Sequence, residues 1–169
     1  DLAPPSAAAD SAAPNLLMIV IDTLRADHVG AYGYDLRDTT PGLDAFARDH
    51  GTLYTQARAT SPYTLSSHAS LLTGLQSVEH GATHPRPMER PVRAQVPTLG
   101  ERLRDVGYQT AFIVANGLYL CPEFGIDRGF EHYEEAAQDD HDLLPATRGL
   151  RRLLLRRGRL QDALRHLDH

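Results

Sequence analysis

The chain contains no lysine, so all 17 of its positive side chains are arginine. A lysine nucleophile or Schiff base is therefore excluded from its chemistry. There is no tryptophan, and a single cysteine, Cys121, rules out an internal disulfide. That cysteine stands in L-Y-L-C-P and is expected to serve as a small buried hydrophobe. No apolar run reaches the roughly 18 residues of a membrane span. No long basic stripe precedes residue 148 and the formal net charge is −5, which argues against nucleic acid as a partner.

What is present reads as about one domain. The chain has 169 residues, 41% hydrophobic and 23% charged, an ordinary globular composition with enough length to bury a core. Residues 1–14, D-L-A-P-P-S-A-A-A-D-S-A-A-P, offer almost nothing to pack and are expected to be a flexible leader left after processing or trimming. Leaders of this composition often follow export signals, so a periplasmic or secreted location is expected. Residues 15–135 carry the patterning of a folded domain. Residues 136–169 read as a linker followed, over 148–169, by a basic amphipathic helix whose leucines suit docking on a domain, a partner or, less readily, a membrane surface.

Leu16–Ile21, L-L-M-I-V-I, is a continuous apolar run that predicts a strand covered on both faces and ending at Asp22. Pro41–His50 is predicted helical, with Leu43, Phe46 and Ala47 inward, Thr40 as N-cap, Pro41 at the first position and Gly51 at the end. Leu53–Ala59 is a candidate strand. A helix is predicted from Leu65 through Leu72, closed by Gly74, and residues 75–96 read as loop. Val96–Val106 is predicted as an amphipathic helix with Leu99, Leu103 and Val106 inward, and Tyr108–Ala115 as a strand. Strands alternating with helices imply an α/β layer, with ligands at the carboxyl ends of its strands. Asp22 lies at such an end.

Four motifs follow one another: I-V-I-D-T-L-R-A-D-H-V-G-A-Y-G-Y, S-P-Y-T-L-S-S-H-A-S-L-L-T-G, V-P-T-L-G-E-R-L-R-D-V-G-Y-Q-T-A-F and F-G-I-D-R-G-F-E-H-Y. Together they resemble the N-terminal part of the sulfatase family, within the alkaline phosphatase superfamily, from about Asn15 to Glu134. The resemblance implies an α/β fold with a mostly parallel sheet flanked by helices, present here as an incomplete N-terminal portion. It implies a metal-dependent hydrolase of small anionic sulfate or phosphate-type esters. Asp22 would be a metal ligand, Thr64 would occupy the nucleophile position, and His68 would stand where the family signature has arginine.

The departures sharpen that expectation. Sulfatases convert a cysteine or serine to formylglycine, whereas threonine, with its extra methyl, gives no aldehyde, so no formylglycine is expected at Thr64. A metal-activated threonine suits phosphate-type esters as well. Ser66 replaces the signature proline and Thr23 a second aspartate. The family's Lys-x-His element would fall near residues 115–117, where Asn116 could hydrogen-bond a substrate oxygen. Asp22 and Thr64 make two ligands to a divalent metal, calcium or of zinc/manganese type. Asp49-His50-Gly51 spells the family's later Asp-His-Gly element but precedes Thr64, so it is read as a helix end. The chain is accordingly expected to be a fragment, inactive alone. A phospho-group transferase of the same superfamily and a non-catalytic binding module are the alternatives.

Plainer roles are also open to these residues. Asp22 suits a turn, Thr64 a helix cap and His68 a solvated helix face. Asp27-His28 suits a loop pair that orders Tyr32 or Arg25. His80 and His84, flanking Gly81, read as structural or substrate-facing rather than as metal ligands.

Overall fold

The computed structural model describes residues 13–83 and 90–135. The expected leader, up to residue 12, the segment 136–169 and His84 lie outside the described residues. The chain divides into two compact units, one running from Pro14 to Ala59 and the other holding the described residues from Thr60 onward.

In the 14–59 unit two short 3-10 turns, Ala26–His28 and Gly30–Tyr32, precede the α-helix α1, Pro41–His50, with Thr40 as N-cap, Pro41 at its start and Gly51 as C-cap. The Thr40 hydroxyl donates to the Asp44 carboxylate and accepts the Gly30 N–H at 3.1 Å, while Asp44 Oδ1 accepts the Ala31 N–H at 2.8 Å. A Cβ on Gly30 would collide with the Asp44 carboxylate, so the A-Y-G-Y turn needs glycine there to seat against α1. Of the hydrophobic residues in this unit, Val29 is the buried one.

Two expectations fail in this unit. Leu16–Ile21 forms no strand and its side chains are 43 to 72% exposed. Leu53–Ala59 is likewise irregular and exposed. An apolar run becomes a strand only when a neighbour takes its N–H and C=O groups, and none of the described residues supplies one here. Leu43 and Phe46, expected inward, are also largely exposed.

The second unit carries the hydrophobic core. Helix α2, Thr64–Thr73, buries Leu65, Ala69 and Leu72 at helical spacing among Ala82, Val92, Val96, Val114, Leu120 and Ile126. Gly74 ends it in the left-handed conformation at φ +74°. The supposed loop at 75–96 contains a one-turn helix, α3, Ser77–His80, started by a Gln76/Glu79 capping box and stopped by Gly81. Helix α4, Leu99–Asp105, begins with a Thr98/Glu101 capping box. Leu99 packs on the core, but Val106 is 67% exposed because the helix ends before it.

Strand β1, Ala111–Val114, pairs in parallel with β2, His132–Glu135, in the register Ala111↔His132 through Val114↔Glu135. The sheet is thus parallel, as expected, but built from a different pair of strands. Phe112 stacks on Phe130 and tilts against Tyr133, which fixes the sheet to its own approach loop.

That loop explains the fourth motif. Arg128 donates to the carbonyls of Gly125, Ala94 and Val96 at 3.0, 2.7 and 2.6 Å and reaches that of Arg93 at 3.3 Å. Thr98, the cap of α4, donates to the Arg128 carbonyl at 2.5 Å. Gly129 sits at φ +83°, and a Cβ there would run into the backbone of Gly100 and Glu101. Charge-assisted bonds from one guanidinium to several carbonyls hold two segments in register. The D-R-G-F sequence is therefore the joint between the start of α4 and the sheet.

A candidate nucleophile site at the start of helix α2

Thr64 is the first residue of α2, and extended Tyr63 is its N-cap. A helix start leaves its first N–H groups outside the helical ladder and carries a partial positive charge, which favours an anion beside it. Thr64, Ser67 and Leu71 lie on the less buried side of the helix, away from Leu65, Ala69 and Leu72. Core burial on one face thereby turns the threonine toward the open face.

His68, one turn on, is buried at 8% exposure rather than solvated. Its Nδ1 lies 2.8 Å from the Thr64 carbonyl, which also accepts the Ser67 hydroxyl at 3.1 Å. A carbonyl only accepts, so Nδ1 carries the proton and Nε2 is the basic nitrogen of the neutral ring. Thr64 and His68 are thus brought together through the helix backbone.

Asp22 lies in the other unit, in a turn directly after the apolar run. The next residue, Thr23, has φ +59°. Asn116 follows the carboxyl end of β1, where its carbonyl accepts the N–H groups of Tyr119 and Leu120 at 3.3 and 3.1 Å. It therefore stands at the edge of a parallel sheet where ligands bind. Asp27 is held by Arg25 through two hydrogen bonds and by His28 at 3.0 Å, and His28 stacks on Tyr34. The Arg25 guanidinium, then the His28 ring, keep the Asp27 carboxyl far below the usual carboxylate range. The pair orders Arg25 and Tyr34, not Tyr32. Asp49 and His50 end α1 and Gly51 caps it, so that triplet is a helix terminus. Cys121 is half-buried, and burial pushes its thiol pKa up.

His80 takes the structural one of its two expected roles. It is fully buried; its Nδ1 accepts the Ala82 N–H at 3.0 Å, and its Nε2 lies 3.0 Å from the Ser70 hydroxyl. Ser66, one turn before Ser70, donates to the Ala82 carbonyl at 2.9 Å. The signal available in the sequence was the Ser66/Ser70 spacing of four, which puts two hydroxyls on one helix face.

The sulfatase family model matches residues 14–152. The chain is 34% identical over 129 residues to arylsulfatase G of Mus musculus, covering 71% of the chain and 23% of that protein. It is 28% identical over 131 residues to N-acetylgalactosamine-6-sulfatase of Canis lupus familiaris, covering 71% of the chain and 25% of that relative. An arylsulfatase of Clostridium perfringens is 35% identical over 68 residues, 40% of the chain and 14% of the relative. No solved structure matches the chain significantly. The fold is of the α/β class, with a parallel two-stranded sheet, and the family match puts the chain in the alkaline phosphatase superfamily. Within it, the chain belongs to the sulfatase family. It spans at most about a quarter of the length of these relatives.

Proposed function

We propose that the full-length protein hydrolyses small sulfate or phosphate-type esters, with Thr64 as the nucleophile. The observation that supports this reading is the place of Thr64, first residue of α2 and on its open face, where the motif resemblance would put the family's nucleophile. The Thr64 oxygen attacks sulfur or phosphorus and the alcohol leaves, giving an ester on Thr64 that water then releases. The helix start stabilises the charge on the ester oxygens. His68, with Nδ1–H committed to the Thr64 carbonyl, offers Nε2 to take up the proton. Asn116, beyond β1, is the candidate contact to a substrate oxygen. Threonine chemistry needs no formylglycine. The location that fits is periplasmic or secreted, and no helix among the described residues is long and apolar enough to cross a membrane.

A divalent metal, calcium or of zinc/manganese type, is the cofactor this reading calls for, and Asp22 is an oxygen donor the resemblance implies for it. Calcium takes about six oxygens and zinc about four ligands. Among the described residues no group of three or more His, Cys, Asp or Glu stands together. Those residues do not by themselves make up the site.

Thr64→Ala in the full-length protein should lower kcat on 4-nitrophenyl sulfate or phosphate by at least about a thousandfold, while circular dichroism stays unchanged. Thr64→Ser should keep measurable turnover. Retained activity in Thr64→Ala would overturn the assignment.

A further inference from the structure

His80 closes a ring of hydrogen bonds. Ser66 Oγ donates to the Ala82 carbonyl, the Ala82 N–H donates to His80 Nδ1, and His80 Nε2–H donates to Ser70 Oγ. An acceptor role at Nδ1 fixes the neutral ring with its proton on Nε2. The ring staples the turn after α3 to the helix that begins with Thr64. Gly81, at φ +79°, lets the Arg93 side chain lie across it, and a Cβ there would come within 2.8 Å of Arg93 Cγ.

We propose that this ring is an acid-sensitive clamp: protonation of His80 sets two N–H donors against each other at Ala82, opens the 81–83 turn beside α2 and so loosens its hold on the helix that presents Thr64. His80 is then a positioning residue, acting on α2 through Ser66 and Ser70.

Among the described residues, Glu79 and Arg93 are the charged groups around it. On its own helix stands Glu79, whose carboxylate accepts the Gln76 N–H at 2.8 Å. From the 90–96 segment comes Arg93, whose guanidinium donates to the Glu79 carbonyl at 2.9 Å. Helix α2 faces the ring with Ser66 and Ser70, and its titratable side chain, His68, is bonded to the Thr64 carbonyl. Neither Glu79 nor Arg93 bonds to the imidazole, so a charge formed there would be buried with no carboxylate partner among the described residues. In agreement, burial pushes the His80 pKa below its ordinary 6.5. A histidine held neutral contributes stability that is full above that ordinary value and is lost as pH falls below it.

The consequence for turnover rests on the Thr64 reading, but the clamp can be tested without it. In the full chain, His80 imidazole shifts and the Ala82 amide protection factor are followed by NMR from neutral to acid pH. His80 should titrate below its ordinary value, and Ala82 protection should fall about tenfold with it, the worth of one hydrogen bond. In His80→Asn, whose side-chain oxygen keeps an acceptor for the Ala82 N–H but cannot take up the proton, protection should be flat over that range. Titration at the ordinary value with unchanged Ala82 protection would overturn the clamp. So would an equal loss of protection in His80→Asn. The wild-type titration decides by itself if the variant does not fold.

Discussion

Thr23 holds a left-handed backbone at φ +59°, a region that β-branched side chains rarely enter. Conformations of this kind cost about 1–3 kcal/mol and gather near functional positions. Here the strain adjoins Asp22, the candidate ligand. Asparagine and aspartate tolerate this region because their short polar side chains bond locally. The resemblance supplies a matching point: many family members carry aspartate at this second position. Thr23→Asn should therefore raise the unfolding free energy by up to about 1 kcal/mol, read as a higher urea midpoint at constant slope. Residue chemistry made Thr64 legible in advance, since a hydroxyl before L-S-S-H-A-S-L-L suits a helix start. It could not show that His68 is buried, nor that His80 closes a ring with Ser70, because both depend on what packs across the helix face.

Among the elements, the joint between α4 and β2 is held by side-chain hydrogen bonds from Arg128, Thr98 and Thr110. Gly129→Ala meets both a left-handed φ and the backbone of the first turn of α4. It should cost at least about 3 kcal/mol in thermal or urea unfolding, since strain and collision add. Arg128→Lys removes the planar fork that spans several carbonyls and should cost about 1–3 kcal/mol in the same experiment. Leu65→Ala, in the core under α2, should cost about 2–5 kcal/mol. Helices α1 and α2 were legible because caps and stops are local: Thr40, Gly51 and Gly74 act over one turn. Helix α4 was legible from its apolar spacing, but it starts at Leu99 rather than Val96. Strand β2 was not, for H-Y-E-E has neither an apolar run nor clean alternation; it forms because β1 and the Arg128 joint bring it into register. Leu16–Ile21 failed in the opposite sense. Its composition says strand, but composition supplies no partner.

For the molecule as a whole, the 14–59 unit exposes an unusual amount of apolar surface: Leu16 through Ile21, Leu36, Phe46 and Tyr54 are all largely solvent-facing. Contiguous apolar surface of this kind drives association. The 169-residue chain by itself should therefore self-associate with concentration in light scattering, and Ile19→Glu with Ile21→Glu should reduce that. The matched span of 14–152 covers residues of both units. The central claim remains the nucleophile. Its most direct test is to quench the full-length protein in acid during turnover of a 4-nitrophenyl ester and sequence its peptides by mass spectrometry. A sulfuryl or phosphoryl group on the Thr64 oxygen, absent in Thr64→Ala, is the predicted result. Turnover with Thr64 unmodified and an adduct on another residue would contradict the account.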